Sequence, residues 1–171
     1  MAIDSSTISL EQKKRILHLE EGHFVDLKAI EITPAKLTRH ISAFANADGG
    51  ELYIGIDEDK VTSKRSWRGF SSFEVANGHI QIFEKLFPLG ENFVYTFLTC
   101  AHSSGIILQI VIHKTPDIKH ASDGKSYVRR GAQSLPVDTP EDLDRLRQNK
   151  RILVTGKSGL VAKLDRTAQV V

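Results

Sequence analysis

Residues 41–57 read Ile-Ser-Ala-Phe-Ala-Asn-Ala-Asp-Gly-Gly-Glu-Leu-Tyr-Ile-Gly-Ile-Asp, and this stretch decides the fold. Upstream of it, Thr33 and Pro34 are the residue types of a helix cap and a first helical position, so we predict a helix that begins at Pro34. Its buried face is expected to consist of Leu37, Ile41, Phe44 and Ala45. The glycine turn that follows leads into a mostly buried strand, which should deliver Asp57 at its end. The glycines of this turn and strand are expected to supply positive φ angles and close backbone approach.

Further elements are predicted on both sides of this stretch. Ser9 and Gln12 have the spacing of a capping box, which predicts a first helix to about Leu19. The remaining predicted elements are a strand at 24–27, a helix at 73–87, strands at 93–100, 106–113 and 126–130, and a last helix that opens at Thr139. We therefore predict one mixed α+β domain with helices packed around one β-sheet.

Length and patterning define the extent of this domain. The chain has 171 residues and 40% hydrophobic content, enough for one ordinary core, and the regular pattern continues through residue 150. From Arg151 the pattern dissolves, so we assign 151–171 to a C-terminal tail of unknown role. Gly156-Lys157-Ser158 in this tail resembles part of a phosphate-binding loop, but Arg151 stands where that loop requires glycine, and we exclude an ATP site.

Several classes of protein are disfavoured by composition. Cys100 is the only cysteine, which rules out a disulfide framework within one chain, and the first ten residues lack the pattern of a secretion signal. No apolar run approaches the length of a membrane span. The seven histidines have no zinc-ligand spacing with cysteines, and the serines beside His102 lack the framing glycines of a hydrolase elbow. We expect a cytoplasmic protein.

The distribution of charge is more informative than its sum. The formal net charge is only +2, but residues 60–68 contain four cations and no acid. These cations are Lys60, Lys64, Arg65 and Arg68, and Trp67 lies among them. The stretch is predicted to bind a phosphate backbone and to stack a base. The alternative is an ordinary solvated loop.

A second group of residues carries candidate chemistry. Glu21 and Asp26 flank a short apolar strand, Lys28 shares a strand face with Asp26, and Asp57 is expected at the end of a neighbouring strand. If the three carboxylates converge, they favour Mg²⁺ or Mn²⁺, and Lys28 would stabilise charge that develops on a phosphate. This is the pattern of metal-assisted phosphodiester hydrolysis. The alternative is that Glu21 and Asp26 are structural acids paired with Lys28 or Arg39.

The order of these motifs resembles a known family. The Glu21 to Lys28 motif, the Ala-Phe-Ala-Asn turn into Gly-Gly, and the strand ending in Gly55-Ile56-Asp57 are similar to the Schlafen AlbA-type DNA-binding domain. The later Ser-Tyr-Val-Arg-Arg-Gly-Ala of residues 126–132 resembles the closing element of the same family. The resemblance covers roughly Glu20 to Pro136.

The resemblance implies two kinds of activity. Some Schlafen relatives are metal-dependent endoribonucleases with an acidic triad at the positions of Glu21, Asp26 and an aspartate of the Asp57-Glu58-Asp59 group. Others are DNA-binding modules, often joined to transcription-regulator domains, and relatives place two such domains side by side, which predicts a homodimer. Here Asp26-Leu27-Lys28 replaces the usual Glu-Phe-Lys, so the second carboxylate is one methylene shorter.

Three functions remain open at this point. They are a DNA- or RNA-binding module, a Mg²⁺- or Mn²⁺-dependent nuclease that uses Glu21, Asp26, Lys28 and Asp57, and a protein-interaction domain. Arg129 and Arg130 alternate faces on a predicted strand, so one of them is expected to contact phosphate.

Overall fold

A five-stranded mixed β-sheet forms the centre of the protein, for which a computed structural model describes residues 3–151. The strands are β1 (Asp4–Ile8), β2 (Val25–Lys28), β3 (Gly50–Ile54), β4 (Ile56–Glu58), β5 (Arg65–Trp67), β6 (Phe93–Cys100), β7 (Ile107–Ile112), β8 (Tyr127–Arg130) and β9 (Gln133–Pro136). The helices are α1 (Leu10–Leu17), α2 (Pro34–Asn46), α3 (Phe73–Glu84) and α4, which covers 140–151. The predicted α+β class is confirmed.

The strand order in the central sheet is β1-β6-β7-β3-β2. The inner pairs β6–β7 and β3–β7 are antiparallel, and the edge strands β1 and β2 run parallel to β6 and β3. Two small hairpins, β4–β5 and β8–β9, stand outside this sheet. The predicted single sheet is therefore accompanied by two two-stranded ribbons.

The central sheet is covered on both faces. On one face, α2 and α3 bury the larger apolar cluster, in which Leu52 and Ile54 of β3 meet Phe44 of α2 and Phe83 of α3. On the other face, α1 and the β4–β5 hairpin cover a smaller cluster around Leu98 and Ile107. The side chains of each strand alternate between these two clusters, as the pleat requires.

The helix and turn of residues 34–50 form as the sequence predicts. Thr33 caps α2 by accepting from the backbone of Lys36, Pro34 is the first helical residue, and every residue of the predicted buried face is inaccessible to solvent. Gly49 has φ +79°, and a Cβ there would lie 2.5 Å from the carbonyl oxygen of Ile112. Glycine is required at this position because both the backbone angle and the space exclude a side chain.

The prediction that Asp57 lies at the end of the buried strand is wrong. Strand β3 ends at Ile54, and Gly55 turns the chain with φ +116° into the separate hairpin β4–β5. The backbone amide of Gly55 donates to the carbonyl oxygen of Lys28, and the carbonyl of Gly55 accepts from the backbone amides of Arg68 and Gly69. Asp57 therefore lies in the first strand of the hairpin.

The other helices and strands predicted from the sequence are confirmed, and their bounds differ from the predicted ones by a few residues at most. The capping box of Ser9 and Gln12 is present, and β6 has the bounds that its apolar run predicts. Strand β1, the β4–β5 pairing and strand β9 were not predicted from the sequence. None of the helices in residues 3–151 is long and apolar enough to span a membrane, and Cys100 is a buried free thiol. The predicted tail lies outside the described residues from position 152 onward.

Candidate nucleic-acid interface

A buried cluster of charged side chains surrounds Asp26 on β2, between the sheet, α2 and the β8–β9 hairpin. Asp26 is 1% exposed. Its Oδ2 accepts from Arg129 Nη1 at 3.0 Å and lies 3.1 Å from His40 Nδ1, whereas its Oδ1 accepts from Lys28 Nζ at 2.5 Å. Both carboxylate oxygens are therefore bound to nitrogen groups of the protein.

The guanidinium of Arg129 is enclosed on all sides. Its Nε and Nη2 donate to the carbonyl oxygen of Gly22 at 3.0 and 2.8 Å, and Nη2 lies 3.3 Å from that of Val25. The ring of Phe44 packs 4.6 Å from its central carbon. The side chain has no exposed surface, so Arg129 is the buried member of the two arginines from which one phosphate contact is expected. Arg130 is exposed and is the candidate that remains.

The environment of Asp26 favours its ionised form. Burial alone would raise the pKa of the Asp26 carboxyl, but the hydrogen bond from His40 and the charge and hydrogen bond of Lys28 outweigh it. The buried Arg129 cation acts in the same direction. The pKa of Asp26 therefore lies well below its ordinary value.

Glu21 caps the outer edge of β2. Its Oε1 accepts from the backbone amide of Leu27 at 3.1 Å, and Lys28 Nζ lies 3.9 Å away. The carbonyl of Val25 on the same edge accepts from the amide of Gly22 at 3.0 Å. Glu21 thus satisfies an edge donor that would otherwise be open to another strand.

Asp57 faces a different set of partners. One of its oxygens accepts from Arg68 at 3.2 Å, and the other, Oδ1, is shielded from solvent without a hydrogen-bond partner in the described part of the chain. No group of three or more His, Cys, Asp or Glu side chains within residues 3–151 is arranged to hold a metal ion. With both oxygens of Asp26 already bound to cationic and imidazole groups, the carboxylates as arranged do not fit Mg²⁺ or Mn²⁺.

The predicted basic stretch forms the β4–β5 hairpin, which we term the basic hairpin (residues 56–68). Its loop is ordered by Asp59, whose Oδ1 accepts from the amides of Val61 and Thr62 at 2.9 and 2.7 Å. Val61 is 93% exposed at the tip. Lys60 and Lys64 flank the tip, are exposed, and have no acidic partner in the described residues.

The two arginines of the basic hairpin are anchored at its base. Arg65 Nε donates to Glu58 at 3.0 Å and its Nη1 donates to the carbonyl of Leu19. Arg68 pairs with Asp57 and with Glu31, and these hydrogen bonds raise its pKa further. Both side chains hold the hairpin against the domain as well as presenting positive charge.

Trp67 has a packing role. Its Nε1 donates to the carbonyl of Gly105 at 2.8 Å, its ring packs against the smaller apolar cluster, and Lys13 Nζ lies 5.7 Å from the ring centroid. These contacts give the ring a place in the packing of the domain, and base stacking by Trp67 stays a prediction.

Sequence reasoning missed three residues that organise this region. His40 contacts Asp26. Asn46 forms hydrogen bonds with the backbone of Lys119 and Tyr127, which join the end of α2 to β8 and to the residues before it. Lys150 is 3% exposed and donates to the carbonyls of Ala45 and Thr115. His40 lies one turn before Phe44 on the buried face of α2, which is the one local signal that could have indicated its position.

A family model described as Schlafen, AlbA_2 matches residues 21–138, which is more than half of the chain and includes the cluster and the hairpin described above. The chain belongs to the Schlafen AlbA_2 family. The matched range of this Schlafen AlbA_2 domain begins at Glu21 and ends before α4.

The fold of the Schlafen AlbA_2 domain is similar to that of a solved structure. The crystal structure of the DIP2311 protein from Corynebacterium diphtheriae has a TM-score of 0.50 and 17% identity, with 81% of this chain and 31% of that chain covered. The Schlafen AlbA_2 domain therefore spans about a third of that protein. The solution structure of an N-terminal domain from Nitrosomonas europaea, described as RecG-related, has a TM-score of 0.46 and 16% identity over 70% of this chain and 86% of that chain.

Proposed function

We propose that this Schlafen AlbA_2 domain is a nucleic-acid-binding module that contacts the phosphate backbone of DNA or RNA through the basic hairpin. The observation that carries the proposal is the hairpin tip, where Lys60 and Lys64 stand exposed without acidic partners. Lysines in this situation can release condensed counterions from a nucleic acid without first breaking an ion pair. Because the loop at the hairpin tip is already ordered, less conformational entropy is lost when it binds a nucleic acid.

The arginines at the base of the basic hairpin support the same surface. Arg68 is half exposed, and its pairs with Glu31 and Asp57 lie at the surface, where solvent and salt screen ion pairs and leave them little net strength. A phosphate group can therefore exchange with these carboxylates at small cost. Arg130 remains a proposed phosphate contact because it is exposed on β8.

Binding without cleavage is favoured by the chemistry around Asp26. Hydrolysis through a divalent metal would require Glu21, Asp26 and Asp57 to share one ion, whereas Lys28, Arg129 and Glu21 hold Asp26 and the edge of β2 in an ion-paired arrangement. The experiment is incubation with labelled RNA and single-stranded DNA in Mg²⁺, Mn²⁺ and chelator. A pure binding module leaves both substrates intact, and metal-dependent cleavage that Asp57→Asn removes would establish the nuclease function instead.

We also propose that two copies associate side by side, so that two basic hairpins can engage one nucleic acid. The outer edge of β1 supports this, because no strand within residues 3–151 pairs with it. Strand β1 contains no lysine or proline and one charged residue, Asp4, and no carboxylate of the described residues caps its outer edge as Glu21 caps that of β2. We further propose that this domain works beside a transcription-regulator domain, as some relatives do.

A paired-variant experiment tests the proposed binding surface. Lys60→Ala/Lys64→Ala removes two cations from the hairpin tip, and Lys36→Ala/Lys85→Ala removes two exposed lysines elsewhere; none of the four has an acidic partner within residues 3–151. The two double variants change the net charge equally. Fluorescence polarisation with duplex DNA, single-stranded DNA and RNA should show weaker binding only for the hairpin variant. Equal weakening by both variants would assign binding to net charge and reject the hairpin as the interface.

A further inference from the structure

A cavity of about 440 Å³ lies on the sheet face that α1 covers, away from the basic hairpin tip and from the Asp26 cluster. Its walls are four aliphatic side chains from β1, β6, α1 and the second residue after α1, namely Ile8, Leu98, Ile16 and Leu19. Its floor is polar and consists of Glu51, Tyr53, Thr96 and Gln109. Apolar walls with a few convergent polar groups are the usual composition of a small-ligand site.

The floor residues form a hydrogen-bonded chain with a fixed direction. Tyr53 is 5% exposed, and its hydroxyl donates to Glu51 Oε2 at 2.5 Å. Because the phenol has only one proton, its oxygen can act toward Gln109 only as an acceptor, and Gln109 Nε2 donates to it at 3.1 Å. Burial is the main reason that the pKa of the Tyr53 phenol is raised, and the hydrogen bond with Glu51 raises it further. The phenol therefore keeps its proton and remains a donor at neutral pH.

Besides two donors that have no partner in the described residues, the second N–H of the Gln109 amide and the Thr96 hydroxyl, the floor offers unused acceptors. Glu51 Oε1 and the amide oxygen of Gln109 accept no hydrogen bond from the described residues. Glu51 also has no lysine or arginine partner there, although its side chain is only partly exposed. Arg15, a cation that lines the cavity, is bound to Glu11 at 2.7 Å. A partly enclosed carboxylate without a cation is an uncommon arrangement, because enclosed charges are usually paired.

We propose that this cavity binds a primary alkylammonium group on a short aliphatic stem. The ammonium would donate to Glu51 and Gln109, and the methylenes would lie against Ile8, Ile16 and Leu98. The same chemistry occurs in a free aliphatic diamine and in a lysine side chain of another protein. No residue of the basic hairpin lines the cavity, so the proposal does not rest on the nucleic-acid function, although Leu19 of the cavity wall also accepts from Arg65 of the hairpin.

The experiment titrates the purified protein with 1,5-diaminopentane, Nα-acetyl-lysine amide and the uncharged analogue 1-pentanol, followed by NMR and calorimetry. The ammonium probes should shift the backbone NMR signals of Thr96 and Gln109. The affinity for 1-pentanol should be lower by a factor of at least about ten, because the alcohol cannot form the charge-assisted hydrogen bond. Tighter binding of the diamine would identify a free amine as the ligand type, and tighter binding of the lysine derivative would identify a protein side chain.

Variants separate a specific site from general attraction to acidic groups. Glu51→Gln should weaken the ammonium probes about tenfold or more, whereas Glu91→Gln, which changes an exposed loop carboxylate, should not. Arg15→Ala should tighten binding, since it removes a repelling cation from the rim without altering the core. The proposal is overturned if neither ammonium probe binds at millimolar concentration, or if binding survives Glu51→Gln in a folded protein.

Discussion

At the scale of single residues, the pair formed by Asp26 and Arg129 is the most consequential contact. Neither side chain reaches solvent, so removal of one charge leaves the other buried and uncompensated. We expect Asp26→Asn to lower the free energy of unfolding by about 3–5 kcal/mol. Glu11→Gln, which breaks an exposed pair with Arg15, should change it by about 0–1 kcal/mol. Urea unfolding of both variants checks this, and equal effects would show that the buried pair is not a stabilising element.

The lowered pKa of Asp26 also predicts a pH dependence. The unfolded chain has an aspartate pKa of about 3.9, and the folded pKa is lower, so the unfolded state binds more protons in acid. The contribution of Asp26 is therefore present above about pH 4 and is lost as the pH falls toward the folded pKa. Denaturant titrations between neutral and acidic pH should show this loss in the wild-type protein and a smaller one in Asp26→Asn. Parallel curves would contradict the assignment.

At the scale of elements, Lys150 fastens α4 to the end of α2. Its ammonium caps the carbonyl of Ala45 and also contacts Thr115, and burial lowers the pKa of Lys150 to about 8. Since an unfolded lysine has a pKa of about 10.4, the unfolded state binds more protons between pH 8 and pH 10. Stability should consequently rise over this interval. Lys150→Met, which keeps the aliphatic stem, should flatten the rise in urea titrations, and an unchanged slope would reject the effect.

The predictability of each element followed from how local its signal is. The helices α1 and α2 were predictable because their caps, Ser9 and Thr33, act on residues three positions away. Strand β1 was not, since four of its five residues are exposed and its pairing joins Asp4 to Thr96 across the chain. The β4–β5 hairpin was obscured because Gly55 interrupts an apolar run that otherwise continues as one strand.

In the candidate site, too, contacts between residues close in sequence were predictable, whereas contacts between distant residues were not. The contact between Asp26 and Lys28 was predictable because residues two apart share a strand face. The contact with Arg129 spans 103 positions and depends on the docking of β8 against α2, which no local pattern specifies. The exposure of the basic hairpin lysines agrees with the predicted basic loop, whereas the packing of Trp67 depends on the Gly105 backbone far along the chain.

At the scale of the whole molecule, the open edge of β1 predicts self-association. Light scattering at micromolar concentration should give the mass of a dimer for the wild-type protein. Ser5→Lys places a charge on this edge and should shift the equilibrium toward monomer, whereas Glu91→Lys in a distant loop should not. A wild-type monomer at these concentrations would contradict the proposed side-by-side arrangement.

The proposed function rests on phosphate contacts at the hairpin tip, and the salt dependence of binding measures those contacts directly. In duplex DNA each phosphate contact contributes a slope of about −0.9 to a plot of log K against log salt concentration. Lys60→Ala/Lys64→Ala should therefore reduce the magnitude of the slope by about two, and Lys36→Ala/Lys85→Ala should leave it at the wild-type value. An unchanged slope for the hairpin variant would show that the basic hairpin does not contact the nucleic acid.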